Sequence, residues 1–470
     1  MKTRIKLNIW RIITALIITS ICCLINSIYD YIALDVICLA LYATVIFLLF
    51  KYYPDIIVKY IYFIITSSWS VLAVFIIENK HGLVVGRMVS EHCGSLPPYI
   101  FSWIVFYTSI CLMEKNRKTI RSDKSYTIKE KYLPPIIIYG ALAMAFICFL
   151  LVAAHPSFLM GINRFDYRDS IQSSFSRNLF KYTAPLTPIM VLNRKKHKYI
   201  CIMFIGLLCA YNIWTGEKYG GFIQILFFSM LGFMDINLGE AIKRNLRKIV
   251  VIAAVMVFSL LAVVYFQRMV VNPNEDFSSY LSERIASQGL TWWATYKGDH
   301  DKGWHIDEID DELSVMANYS NVEWTEYNHG IYKQMKLFQN AGKVKSMLRA
   351  RVRAAESTRA TFFYYMKYLG LIIGQICGAF IIYRLVNHII IAIRRGELLL
   401  SYFYTIVLRF FYQAFEQSDF YLMTTLTAII SYIAIFIIKR FKPKMIRRKA
   451  LALDGIKSEK VKTKERLNYE

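Results

Sequence analysis

The charged residues best suited to chemistry in this sequence are arginines that recur at helical spacing late in the chain. Lys345, Arg349, Arg353 and Arg359 fall on one face at ~100° per residue, beside the apolar Val344, Leu348, Val352 and Ala355. A guanidinium fork binds two phosphate oxygens at once and stays charged at any relevant pH. The row therefore reads as a phosphate clamp on an amphipathic helix. A helix resting on lipid headgroups, or pairing with nearby acidic residues, would carry the same pattern.

Three further clusters offer related chemistry. Arg164 and Arg168 alternate with Asp166 and Asp169 in a segment of otherwise small and aromatic residues. Glu217 and Lys218 lie in the compact, glycine-flanked turn Gly216–Gly221. Arg409 sits inside an apolar stretch, with Glu416 and Asp419 just beyond it. Charges at or within apolar segments are costly and are functional candidates by default, with mutual ion pairing as the alternative. Proton acceptors are available in Glu217, Glu326 and His329, the histidine titrating near neutrality. The acidic run Asp307–Glu312 matches no calcium-loop spacing and reads as a solvated segment, so no metal and no cofactor are expected.

The elements that must position these groups are membrane spans. A bilayer core about 30 Å thick needs roughly 20 apolar residues as a helix. Such stretches lie near 9–27, 31–50, 56–77, 98–113, 134–154, 179–192, 199–214, 221–235, 249–266, 363–383, 397–413 and 420–438. The sixth is weak, holding Lys181, Pro185 and Pro188. Lys/Arg-rich connections at 114–132, 194–198 and 243–248, and the basic tail 439–470, mark the cytoplasmic side. The expected fold is an all-α polytopic integral membrane protein of about 12 spans with both termini cytoplasmic. It divides into 1–266 (helices one to nine), a large outward loop 267–362, helices ten to twelve at 363–438, and the tail. A loop of that size between spans is usually functional.

Composition agrees. Of 470 residues, 56% are hydrophobic, and the formal net charge is +24. Cytoplasmic basic loops facing anionic headgroups account for that charge without nucleic acid. Eight of the nine cysteines lie in or at the edge of apolar stretches, and Cys93 has no partner in its outward loop. No disulfide framework is readable. The first apolar run lacks a small-x-small cleavage pattern and reads as an uncleaved helix.

A polytopic chain with a large outward loop late in the sequence and Arg-rich outward segments resembles the O-antigen polymerase (Wzy) family and related bacterial repeat-unit polymerases. Local likeness comes from Gly161–Arg168, Thr215–Gly221, Ser287–Trp293 and Asn328–Tyr332, and Arg359 to Gly370 matches an Arg-x10-Gly spacing found in some members. Arg164 and Arg168 have no glycine at that offset. The resemblance implies a glycosyltransferase-type enzyme in the bacterial inner membrane. It would polymerise undecaprenyl-pyrophosphate-linked glycans at the periplasmic face into O-antigen or capsular polysaccharide, with membrane lipids and a chain-length regulator as partners. The pyrophosphate would fall to Arg164, Arg168, Lys218, Arg349, Arg353, Arg359 and Arg409, and the acceptor proton to Glu217, Glu326 or His329. An O-antigen ligase shares topology and donor. A repeat-unit flippase shares the span number but needs no large outer loop.

Overall fold

In the computed structural model the described residues are mostly helical, with one short hairpin among them. The chain is described at residues 2–29, 31–116, 135–157, 159–160, 167–168, 170–217, 220–233, 265, 277–309, 330–349 and 357–441. The first block comprises α1 (Lys2–Asn26), α2 (Ile32–Tyr52), the short α3 (Pro54–Lys59), α4 (Ile61–Asn79), strands β1 (Val84–Val85) and β2 (Met88–Val89), and α5 (Leu96–Asn116). Next come α6 (Pro135–Ala153), α7 (Ser174–Thr183), α8 (Thr187–Leu192), α9 (Lys198–Trp214) and α10 (Gly220–Gly232). The remainder holds α11 (Phe277–Ala286), α12 (Leu290–Asp299), α13 (Gly330–Phe338), α14 (Ala341–Arg349), α15 (Ser357–Arg394), α16 (Leu398–Gln417) and helical residues 426–441.

Seven of the described helices, α1, α2, α4, α5, α6, α15 and α16, are long and apolar enough to cross a membrane. Their outward surfaces carry bare aliphatic groups: Ile136 is 79% exposed and Leu24 67%. Water would penalise contiguous apolar surface of this kind, whereas lipid tails accept it. The bundle centre is aromatic. Trp103, Phe106 and Tyr107 on α5 pack with Phe63 on α4 and Phe415 on α16, with centroids 5.4 to 6.2 Å apart.

The sixth expected span is not one helix. Ser173 caps α7 by accepting from the Ser176 amide at 3.1 Å. A 3-10 turn at Ala184–Leu186 then separates α7 from α8. Pro185 and Pro188 lack the N–H that a continuous helix would use there. Helix α10, at 13 residues, reaches only about 20 Å at 1.5 Å per residue. The ninth expected helix, 249–266, lies outside the described residues apart from Tyr265.

The tenth differs most. Instead of 363–383, α15 runs Ser357–Arg394 and breaks at Met366 and Lys367, whose φ values are −138° and +52°. The backbone reverses at that point. Arg359 donates to Gln375 at 3.4 Å, although 16 residues of straight helix would separate the two by about 24 Å. A Cβ at Gly370 would collide with the Phe362 carbonyl, and one at Gly374 would meet the Phe362 ring at 2.5 Å. Residues 357–365 are thus a return arm packed along the helix that follows. The expected entry into the membrane at Phe362 is replaced by a hairpin whose tip is Lys367.

The described part of the expected large loop is a helical layer with its own core. Trp293, Ile331, Met335, Phe338, Val344 and Leu348 are buried together with Ile77 of α4 and Val85 of β1. The spacing of Val344 and Leu348 read from sequence is therefore the buried face of α14. Gly86 joins the hairpin to this layer: its φ is +64°, and a Cβ there would lie 2.5 Å from the Phe338 carbonyl.

Candidate functional site

The broken helix α7–α8 and the long helix α16 bring basic side chains together. Arg409 is buried within α16 and donates through Nη1 to the Lys181 carbonyl at 2.7 Å. Lys181, exposed on α7, lies in the combined field of Arg409, Arg177 and Arg168. Arg177 donates to the Arg168 carbonyl at 3.1 Å and to Ser174 Oγ at 2.9 Å, which ties the 167–168 turn to the start of α7. Glu217 lies within electrostatic reach of Arg409, as do the Tyr211, Tyr402 and Tyr412 hydroxyls.

Local sequence explains how the site is held. Tyr211 of α9 stacks on Phe180 of α7 with centroids 4.2 Å apart and planes 9° from parallel, and its hydroxyl accepts from Gln172 at 2.6 Å. The Glu217 amide donates to the Asn212 carbonyl at 2.9 Å, turning the chain just after α9. Trp214 Nε1 donates to the Ala153 carbonyl at 3.2 Å and fixes the neighbouring end of α6. Tyr402 on α16 donates to the Tyr182 carbonyl at 3.0 Å, holding α16 against α7 near Lys181. Lys181 thus lies in the field of Arg168, Arg177 and Arg409, and Arg409 in turn lies within electrostatic reach of the Glu217 carboxylate. A polyanion placed there would relieve their mutual repulsion and gain charge-assisted hydrogen bonds.

Of the sequence candidates, Arg168, Glu217 and Arg409 are thus brought together. Arg177 and Lys181 join this cluster without having been site candidates from sequence. The available signal was Lys181 itself, a charge in an apolar stretch just before two prolines. The suggested grouping of Arg409 with Glu416 is replaced: Arg409 bonds to the Lys181 carbonyl, and Glu416 accepts from Tyr62 at 2.5 Å. Arg164, Lys218, Glu326, His329 and Arg353 lie outside the described residues, and Arg349 is described only as the last residue of α14.

Arg359 does not belong to an exposed row. It is 1% exposed, its guanidinium carbon is 3.5 Å from the centre of the Trp103 ring and 5.7 Å from that of Tyr99, and it donates to Gln375. Fully packed between rings, it serves as an internal anchor of the return arm. A desolvated cation over an indole is worth about 2 kcal/mol or more.

A second polar group surrounds the hairpin tip. The Lys367 ammonium binds the Asp299 carboxylate and donates to the Asp299 carbonyl at 2.7 Å. His305 Nε2 lies 3.0 Å from the same carboxylate, and its ring stacks on Tyr364 at 4.3 Å. Glu308, from the acidic run, accepts from Lys333 at 2.9 Å and from Tyr364 at 2.5 Å. Cations and carboxylates alternate here, which suits a clasp joining α12, α13 and α15 better than a ligand site.

No protein-family model, curated protein or solved structure matches this chain.

Proposed function

We propose that this chain is a membrane-embedded polysaccharide polymerase that joins lipid-linked oligosaccharide repeat units. The observation that carries the reading is the juxtaposition of Lys181, Arg409, Arg177 and Arg168 with Glu217. A concentration of cations among apolar helices, with the Glu217 carboxylate near Arg409, suits a substrate whose lipid tail lies in the bilayer and whose pyrophosphate sits at its edge.

In this reading the pyrophosphate of a polyprenyl-pyrophosphate-linked glycan is held by Lys181 and the arginines. A hydroxyl oxygen of the acceptor unit attacks the anomeric carbon of the donor sugar, and the carbon–oxygen bond to pyrophosphate breaks. The hydroxyl proton passes to Glu217, and the departing pyrophosphate keeps the bonding electron pair under cationic stabilisation. The donor is already activated, so the transfer requires no nucleotide sugar. The proposal includes the twelve-span topology, with 155–177, 215–221 and 267–362 facing the periplasm. Arg164 and Lys218 adjoin the site in sequence and are assigned to the same anion.

The test is a deletion strain complemented with Lys181→Ala, Arg409→Ala and Glu217→Gln, its surface glycan resolved on a gel. Single-repeat glycan in place of a ladder supports the reading. A full ladder from all three at normal protein levels rejects it. Complete loss of surface glycan, single repeats included, would instead indicate ligation or translocation of the lipid-linked unit.

A further inference from the structure

Away from the basic cluster, Asp35, Glu78 and His92 bring one ligand atom each to within 4.8 Å of one another. They come from three separate elements: the first turn of α2, the last turn of α4, and the segment between β2 and α5. Asp35 and Glu78 are 0% exposed, and the His92 side chain is 9% exposed. Two carboxylates and one imidazole brought this close are a donor set that a cation can bridge.

The positions of the donors are fixed from outside the trio. Glu78 accepts from the amides of Cys93, Gly94 and Ser95 at 2.7, 3.2 and 2.8 Å, and Asn79 donates to Asp35 at 3.3 Å. Second partners of this kind orient carboxylates around metals. The Cys93 sulfur lies 3.3 Å from the Glu78 carboxylate, outside the trio whose ligand atoms converge. It donates to Glu78.

An imidazolium and a metal ion place different demands on this spacing. His92 Nε2 is 3.4 Å from Asp35, and Nδ1 is 4.0 Å from Glu78. Charge-assisted N–H···O bonds run about 2.7–2.9 Å, so both separations are long for an imidazolium shared between carboxylates. Through one ring nitrogen the three ligand atoms lie within 4.8 Å of one another, and a tetrahedral ion with bonds of about 2.0–2.2 Å would draw the widest pair inward to roughly 3.3–3.6 Å. One nitrogen and two carboxylate oxygens suit a first-row divalent ion better than calcium, which prefers six or more oxygens.

We propose that Asp35, Glu78 and His92 form a structural site for a divalent first-row cation of the zinc or manganese class, clasping α2 and α4 to the 90–95 segment. That segment seats the helical layer: Trp292 and Trp293 of α12 donate to the carbonyls of Ser95 and Glu91 at 2.9 and 3.2 Å, and Asn26 of α1 donates to that of Gly94 at 2.7 Å. An ion there locks the layer onto the bundle. The site stands apart from the acidic run Asp307–Glu312, where no metal was expected.

The test uses the full chain purified in detergent, stripped with EDTA, equilibrated with zinc or manganese alone, and desalted. Elemental analysis of wild type should give about one ion per chain for one of the two metals. Asp35→Asn and His92→Ala should fall to background, while Glu91→Gln, an exposed neighbour, keeps the ion. Should the variants not fold, wild type alone decides: the metal must raise its thermal midpoint and protect His92 from diethylpyrocarbonate in mapped digests. No retained ion in wild type, equal retention in folded variants, or an unprotected His92 overturns the proposal. Metal content is read without any glycan, so it is decided independently of the polymerase reading.

Discussion

The guanidinium carbon of Arg359 lies 3.5 Å from the centre of the Trp103 ring, and this contact ties the return arm of α15 to α5. Arg359→Lys and Trp103→Leu should each lower the thermal midpoint of the purified protein, because an ammonium lacks the flat face that stacks on indole. The double variant should lose less than the sum, with a coupling of about 2 kcal/mol. Additive losses in a double-mutant cycle would mean that the stacking contributes nothing.

Gly370 exists where the return arm touches the helix. Gly370→Ala sets a methyl group against the Phe362 carbonyl and should destabilise the fold by at least the 1–3 kcal/mol typical of overpacking. Gly206→Ala, where nothing lies within 4 Å of the new carbon, should be silent or mildly stabilising. Heat-inactivation profiles of the two variants side by side check this.

At the basic cluster, Arg409→Lys should impair chain elongation nearly as much as Arg409→Ala. Arg409 both donates to the Lys181 carbonyl and holds positive charge at the site, and a lysine cannot reproduce the fork. A lost charge-assisted contact of about 1.5–3 kcal/mol corresponds to roughly 10- to 150-fold in rate. Glu217→Gln should cost roughly 100- to 10,000-fold if the carboxylate is the proton acceptor. Rates of glycan extension on purified lipid-linked units supply the measurement, and a fully active Arg409→Lys would reduce that residue to a point charge.

Cys93 should resist alkylation at pH 8. Its thiol is pushed up by burial and by the Glu78 carboxylate, so the reactive thiolate is scarce there. Glu78→Gln removes the second cause and should speed labelling by iodoacetamide relative to EDTA-stripped wild type, provided the variant elutes as folded protein. Equal rates, followed by peptide mass spectrometry, would leave burial as the sole protection.

Reporter fusions at Lys118, Lys196, Arg244 and Lys457 should report cytoplasm, and those at Asn163, Asp310 and Lys345 the opposite side, as the distribution of basic residues requires. A cytoplasmic signal at Asn163 would place the Arg168 cluster on the wrong face for periplasmic polymerisation.

What the sequence determined by itself is local. Runs of apolar residues set the helical class and the membrane-length helices, since each span satisfies its own backbone hydrogen bonds whatever its neighbours do. The prolines at 185 and 188 marked the sixth span as weak, because a missing amide acts within one turn, but not that it would divide into two helices. The Arg359–Gly370 spacing was also visible, but its meaning was not. Periodicity put Arg359 on a shared face with Lys345, whereas the reversal at Met366–Lys367 carries it against Trp103 and Gln375. Only the tertiary structure decided that Lys181 would meet Arg409, or that Asp35, Glu78 and His92 would converge. These partners come from separate helices, and their meeting depends on how whole helices cross and pack, which spacing along one helix does not encode.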